Sequence, residues 1–359
     1  MATIVNLAAR RVVQPRPDET LVTAIAQGRW PTDSVYWLKE IAEVLSVLEE
    51  TGGTATPAMH DALAGPLSGL GARMTFFPQY YRFFLAIALS AEALGLLPQG
   101  RAGELGDWVV DQGWPDSELN DLNRAEVRYL LRRAGCRDAD DPDLDRRLHR
   151  FMERPATFAI PNRKAAYELT HLVFYLSDHG RRDPGLSAAV LQSLRHAGTL
   201  AFLEQNADLL AEICLCLLYA GQEIPELWLG LVAETAKSFA FQAKSGMAEN
   251  DDCHCLFVCH WLLGKVGLAA FQFRAPMPGP GQSLIVRAPQ PVALPLREVS
   301  MYLLGLGAGR SGDWVGMRDP LSNALSPAAR QIVMQAEAAD DQFDEFFAAF
   351  ARSQRVGAG

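Results

Sequence analysis

Little in this chain suits export, a membrane or a nucleic acid. Its 359 residues hold only 6 cysteines, and five of them, Cys214, Cys216, Cys253, Cys255 and Cys259, fall in apolar helix-like stretches. That is not the spacing of a secreted disulfide framework. The N-terminus lacks the charged segment and long apolar core of a secretory signal, so reduced thiols and a cytoplasmic location are expected. The longest apolar stretch, Phe83 to Leu97, is about 15 residues and carries Glu92, whereas a membrane span needs roughly 20. Basic charge is also scarce: 33 Lys+Arg against 42 Asp+Glu give a net charge of −9, which disfavours a nucleic-acid partner. Gly-x-Gly-x-x-Gly, Walker, Gly-x-Ser-x-Gly and His-Glu-x-x-His motifs are all missing, so nucleotide cradles and the common hydrolase signatures have no support. With no Cys-x-x-Cys pair, a zinc ribbon is excluded too.

What is abundant is Ala and Leu in helix-period patterns broken by Gly and Pro, with few alternating β-branched runs. Thr32 to Glu50 reads as the first strong helix. Asp33 or Ser34 caps it, Trp37, Ile41, Leu45 and Leu48 form its apolar stripe, and Gly52-Gly53 stop it. Further helices are expected near 58–70, 79–97, 101–113, 118–135, 143–153, 163–179, 186–198, 200–220, 225–245, 252–270, 295–307 and 326–352. Residues 1–18, punctuated by Pro15 and Pro17, read as an extended arm; residues 19–359 read as a single helical domain. Short connections predict antiparallel hairpins of roughly 35–45 residues. The fold class is therefore all-α, an α/α repeat that forms either a toroid or a solenoid. A Pro/Gly-rich loop at 273–295 interrupts it. There Ile285 and Val286 read as a short strand-like piece across a pocket mouth, or else as part of a plain surface excursion.

The chemistry-bearing residues cluster in three helices. Glu168, His171, Tyr175 and Asp178 recur at i, i+3, i+7 and i+10, a polar stripe on an otherwise apolar helix. Such a stripe either lines a wet cavity or forms a satisfied buried network. Asp208 and Glu212 lie one turn apart before a very apolar run. Asp251, Cys253 and His254 gather near a helix start. If equivalent faces of the repeat point to one centre, His171, Asp208 or Glu212, and His254 become ligands for one divalent metal, zinc or iron, with Glu168, Asp178 and Asp251 orienting them. His171 and Asp178 are roughly 10.5 Å apart along a helix, too far to share an ion. A di-metal version, pairing Glu168-x-x-His171 with Asp251-x-x-His254, fits poorly because Asp208 and Glu212 share one helix. Catalytic roles are expected for His171, Asp178 and His254, with Cys253 as the one thiol placed to act as a nucleophile. Cys214, Cys216 and Cys259 read as small hydrophobes. The plain alternative is a helix whose polar groups bind the next hairpin's backbone and whose Asp178-His179-Gly180 is a C-terminal cap.

The run from Tyr167 to Gly180, preceded by Asn162-Arg163-Lys164, resembles the Tyr-x-Leu-Thr-His-x-x-Phe-x-Leu-Thr-Asp-Phe-Gly signature of an uncharacterised family of bacterial helical proteins. That family also carries an Asp-Leu-Leu-x-Glu helix, matched by Asp208 to Glu212, and a later His-bearing helix, matched by Cys253-His254-Cys255. The resemblance covers roughly residues 160–265, and it implies that His171, Asp178, Asp208, Glu212 and His254 belong together. Ser177, His179 and the cysteines flanking His254 depart from the pattern. The family's general look is similar to α/α toroids, among them zinc prenyltransferases, terpene cyclases, lanthionine cyclases and sugar epimerases, an analogy that chooses no reaction. The resulting expectation is an enzyme doing acid–base chemistry on a small-molecule or peptide substrate. The rival is a non-catalytic helical-repeat protein that binds a partner on its concave face.

Overall fold

Six glycines with positive φ, Gly52, Gly95, Gly135, Gly180, Gly221 and Gly267, recur at intervals of 43, 40, 45, 41 and 46 residues. Each closes one helix in the left-handed conformation that glycine adopts without penalty. In the computed structural model, which describes residues 15–136, 141–248 and 251–353, these six helices are α1 (Val35–Glu50), α2 (Tyr81–Ala93), α3 (Asp121–Arg133), α4 (Arg163–Leu176), α5 (Ala207–Tyr219) and α6 (Cys253–Lys265). Side chains of Ser34, Asn120, Asn162 and Asn206 accept backbone N–H groups at the starts of α1, α3, α4 and α5, the standard way to satisfy orphan donors there.

Each of the six packs on the next, and α6 packs back on α1. Their polar contacts show that all six run the same way. In their first or middle turns, Glu43 meets His254, Arg82 meets Glu126 and His171 meets Glu212. Near their C-terminal ends, Glu49 meets Ser90 and Arg133, and Glu50 meets Lys265. Other helices fill the gaps between them in sequence: Pro57–Ser68 and Leu70–Phe76, Arg101–Asp111, Pro142–Met152, Ala188–Leu203 and Glu226–Lys237. The C-terminal helices Pro295–Leu306, Pro327–Ala339 and Phe343–Ala351 pack against Ala188–Leu203. No helix among the described residues is long and apolar enough to cross a membrane.

The all-helical expectation holds for the bulk of the chain, with five local corrections. Residues 1–14 of the expected arm lie outside the described residues, and its last two positions are already helical, because Pro17 opens the helix Pro17–Ala24 at a site where its missing N–H costs nothing. The expected 225–245 helix ends at Lys237 and is followed by strand β1 (Ala240–Ser245), which pairs antiparallel with β2 (Gln282–Arg287). Strand pairing overrides local propensity there. The 273–295 loop thus contains a full strand, and its Leu284 and Val286 are buried. The break expected near 198–200 is absent: Gly198 sits inside Ala188–Leu203, where a Cβ would fall 2.3 Å from the Trp228 ring. Its job is close packing, not termination. The segment 326–352 is two helices, parted where buried Asp340 accepts the Thr199 hydroxyl at 2.7 Å.

Candidate active site

The six helices enclose a cavity of about 340 Å³. Its walls are apolar and aromatic, with Phe83, Leu122, Tyr129, Phe174, Tyr175 and Trp261 prominent. Most of the acid and imidazole groups, Glu43, His171, Glu212 and His254, gather on one side of the cavity.

Glu212 is the centre of that cluster. It is 1% exposed, and its Oε1 lies 3.7 Å from His171 Nε2 and 3.4 Å from His254 Nε2. Its Oε2 accepts the Thr170 hydroxyl. Asp208, one turn earlier on α5, places Oδ1 3.6 Å from His254 Nε2 and accepts the Tyr167 hydroxyl at 2.7 Å on Oδ2. Glu43 on α1 lies 3.3 Å from His254 Nδ1. One imidazole therefore spans carboxylates from two helices, with its two nitrogens facing different acids. The His171 and His254 side chains are 36% and 34% exposed, so the cluster forms the rim of the cavity and is open to an incoming molecule.

Charge follows this geometry. Burial alone would raise the Glu212 carboxyl, but the flanking His171 and His254 imidazoles outweigh it and hold it well below the carboxylate range. Burial opposes protonation of His254, yet Glu43, Glu212 and Asp208 raise it well above an ordinary imidazole. His171 is raised in the same way, chiefly by Glu212. Asp208 is pushed up by burial and by the Glu212 charge. Glu126, on the opposite wall, is also pushed up by burial. The rim thus sets imidazoles raised by their acids beside Glu212 and Glu43, both lowered despite burial by those imidazoles, and beside Asp208, which takes a proton more readily, a separation of the kind that general acid and base roles need.

The opposite end of the cavity is sealed. Glu49 accepts from Arg133 at 2.6 Å and Arg181 at 2.8 Å, and Glu50 meets Arg181 at 2.7 Å and Lys265 at 2.8 Å. Three cations thus collect at this end, each paired with an acid.

Of the residues expected from sequence, the fold brings His171, Asp208, Glu212 and His254 together. Donor atoms of Asp208, Glu212 and His254 all lie within 4.8 Å of one another. Asp178 is elsewhere: α4 ends before it, its φ is 51°, and it faces Arg181 at 3.8 Å near the sealed end. Glu168 turns outward toward Lys164, at 3.9 Å. Asp251 does not orient the rim, because it grips the fully buried Arg29 at 2.9 Å, opposite Glu40 at 2.8 Å. This disposes of the di-metal pairing. Cys253 sits beside that Arg29 cluster, not in the cavity, and burial pushes its thiol well up, the reverse of what a nucleophile requires. The strand β2, expected near a pocket mouth, instead packs on Ile25–Arg29 and the start of α6, with Val286 N donating to Asp251 at 2.8 Å. None of the cavity-lining residues comes from 273–295.

Sequence reasoning did not find Glu43, Glu126 or His179 in the cavity. Lys39, Glu43 and Ser46 stand at helical spacing amid the buried residues of α1, and that polar stripe was the available signal.

No curated protein and no solved structure matches the chain. The sequence model of one family, described as a domain of unknown function (DUF6902), matches residues 1–353. The chain belongs to that family.

Proposed function

We propose that the cavity is the active site of an α/α toroid enzyme, in which the rim cluster holds one divalent cation, zinc or iron, and performs acid–base chemistry on a small or peptide-like substrate. The observation that carries this reading is Glu212, a buried carboxylate between two partly exposed imidazoles at the open end of an otherwise apolar cavity. The ring of helix contacts and the 40- to 46-residue glycine spacing support the toroid.

The donor set suits such an ion. Two imidazole nitrogens and two carboxylates are ordinary ligands for zinc or ferrous iron. Asp208 Oδ1 is buried without a hydrogen-bond partner, and a buried acceptor of that kind calls for a partner. Glu43 beside Nδ1 of His254 matches the carboxylate that commonly steadies a metal-bound histidine through its other nitrogen. A bound ion would supply Lewis-acid polarisation of a substrate oxygen. The chain's own groups do the rest. Tyr167 holds Asp208 in place, Glu43 orients His254, His171 exchanges a proton at the rim, and the aromatic walls exclude water from the bound body of the substrate.

Metal analysis of protein purified without a histidine tag, alongside His171→Gln and His254→Gln, tests this. Stoichiometric metal that both variants lose while remaining folded supports the proposal. No metal in the parent protein, and none taken up on adding zinc or ferrous iron, removes the metal; collapse of both variants without metal favours a purely structural polar cluster in a partner-binding repeat protein.

A further inference from the structure

The sealed end of the cavity contains a feature that rim chemistry does not use. Asp178, His179 and Gly180 all have positive φ, at 51°, 51° and 83°. Two of these carry a Cβ, so the backbone holds a conformation that side chains resist, and such strain is characteristically retained at functional positions. Its result is to turn the His179 ring into the cavity lining.

The ring is tightly held. It stacks on Tyr129 with centroids 4.8 Å apart and packs against Trp261 at 5.1 Å and Phe174 at 5.9 Å. His179 is 8% exposed, yet its Nδ1 has no hydrogen-bond partner; the nearest acid oxygen, Glu50 Oε1, is 3.7 Å away and is engaged by Arg181 at 2.7 Å. A buried polar atom without a partner is costly and rare. The surrounding charges cancel: Arg133, Arg181 and Lys265 face Glu49, Glu50 and Asp178. Burial and the three nearby cations hold the imidazole well below its ordinary pKa, so it is neutral. A neutral imidazole offers one donor and one acceptor.

We propose that the sealed end is a second subsite, anchored by His179, which hydrogen-bonds a neutral hydroxyl at the far tip of an elongated apolar or aromatic substrate. A hydroxyl matches an imidazole that both donates and accepts. A carboxylate or ammonium tip has no uncompensated charge to meet there. Along α6, His254 and Trp261 are seven residues apart, about 10.5 Å at roughly 1.5 Å per residue, which sets the distance between reacting end and tip. This rests on reading the cavity as a substrate pocket, but not on the chemistry at the rim.

Equilibrium calorimetry with two probes of equal body, 4-ethylphenol and ethylbenzene, tests the subsite without turnover. The phenol is expected to bind about tenfold or more tightly, despite its stronger hydration, because only it satisfies the buried imidazole. His179→Phe should abolish that preference while ethylbenzene affinity stays within about twofold; His179→Gln, which keeps a donor and an acceptor, should retain most of it and covers the case in which the Phe variant does not fold. Glu212→Gln at the rim should leave the preference intact, so failure of the rim chemistry and failure of this subsite separate cleanly. Equal affinities in the parent protein, a preference that survives His179→Phe, or no binding of either probe overturns the proposal.

Discussion

His254 Nε2 lies 3.4 Å from Glu212 Oε1 while its Nδ1 lies 3.3 Å from Glu43 Oε2. Glu43 and His254 sit on α1 and α6, which pack on each other although they lie far apart in the sequence. The bridge therefore joins two helices far apart in the sequence as well as two chemical groups. A single imidazole links α6 to α1, at the end where the cavity is open.

Glu43 is expected to act through His254. Replacing it with Gln removes the charge beside Nδ1 but leaves Nε2 and both α5 carboxylates in place. Loss of such an orienting carboxylate typically weakens metal binding by about 10- to 100-fold. Zinc titration of chelator-treated Glu43→Gln should show that loss with an unchanged unfolding midpoint for the apo protein to within a few degrees. Unaltered zinc affinity would show that Glu43 does not orient the site.

Acids around both imidazoles overcome burial and raise His171 and His254 above an ordinary imidazole, so each holds its proton more tightly. Ligation requires neutral imidazole, so uptake must displace protons. Apparent zinc affinity should rise steeply between pH 6 and pH 8 in calorimetry, and the heat should depend on the buffer's ionisation enthalpy. A pH-independent affinity with no proton release would contradict the ligand set.

Much of this site could be read from sequence, for a definite reason. His171, Asp208, Glu212 and His254 are polar residues within apolar helix-period runs, and helix geometry fixes which of them share a face. Whether separate faces meet depends on the closing contact between α1 and α6, which no local pattern encodes. Glu43 accordingly read as part of an ordinary helix. His179 was hidden by its own backbone: helix spacing extrapolated through 179 misplaces it, because the chain leaves the helix after Leu176. The regular spacing of helix ends is marked in the sequence by the glycines at 52, 95, 135, 180, 221 and 267, since turns demand a residue type where packing faces tolerate many.

Arg29 is expected to carry stability and no chemistry. It has no exposed side-chain surface and bridges Glu40 and Asp251, tying the segment before α1 to the start of α6 and, through the Leu284 carbonyl, to β2. Arg29→Met leaves two carboxylates facing each other without their cation. Breaking a buried pair from one side costs about 3–5 kcal/mol. Denaturant unfolding should show a loss of that size, with zinc uptake at the rim unchanged in the folded protein. A loss under about 1 kcal/mol would mean that water or rearrangement replaces the guanidinium.

Gly180 is held by two constraints at once. Its φ is 83°, and an added Cβ would fall 2.4 Å from the Tyr219 ring. Gly180→Ala should therefore cost more than the roughly 1–2 kcal/mol of the left-handed backbone alone. Gly221→Ala supplies the control: its φ is 67°, and an added Cβ meets nothing within 4 Å. If the two substitutions destabilise equally, the close approach to Tyr219 is not a constraint.

The histidines should give stability two opposite pH dependences. His171 and His254 have folded values above an ordinary imidazole. Their contribution is complete below the unfolded value near about 6.5 and is lost as pH rises through the folded values. His179 lies well below an ordinary imidazole, and burial lowers His260 to about 4. Their contribution is complete above about 6.5 and is lost as pH falls toward the folded values. Chelator-treated protein should therefore lose stability on both sides of neutrality. His254→Gln should flatten the alkaline side alone and His179→Gln the acid side alone, as read from denaturant midpoints between pH 5 and pH 9. If His254→Gln instead flattens the acid side, the imidazole is neutral in the fold, and the carboxylates around it do not hold its proton.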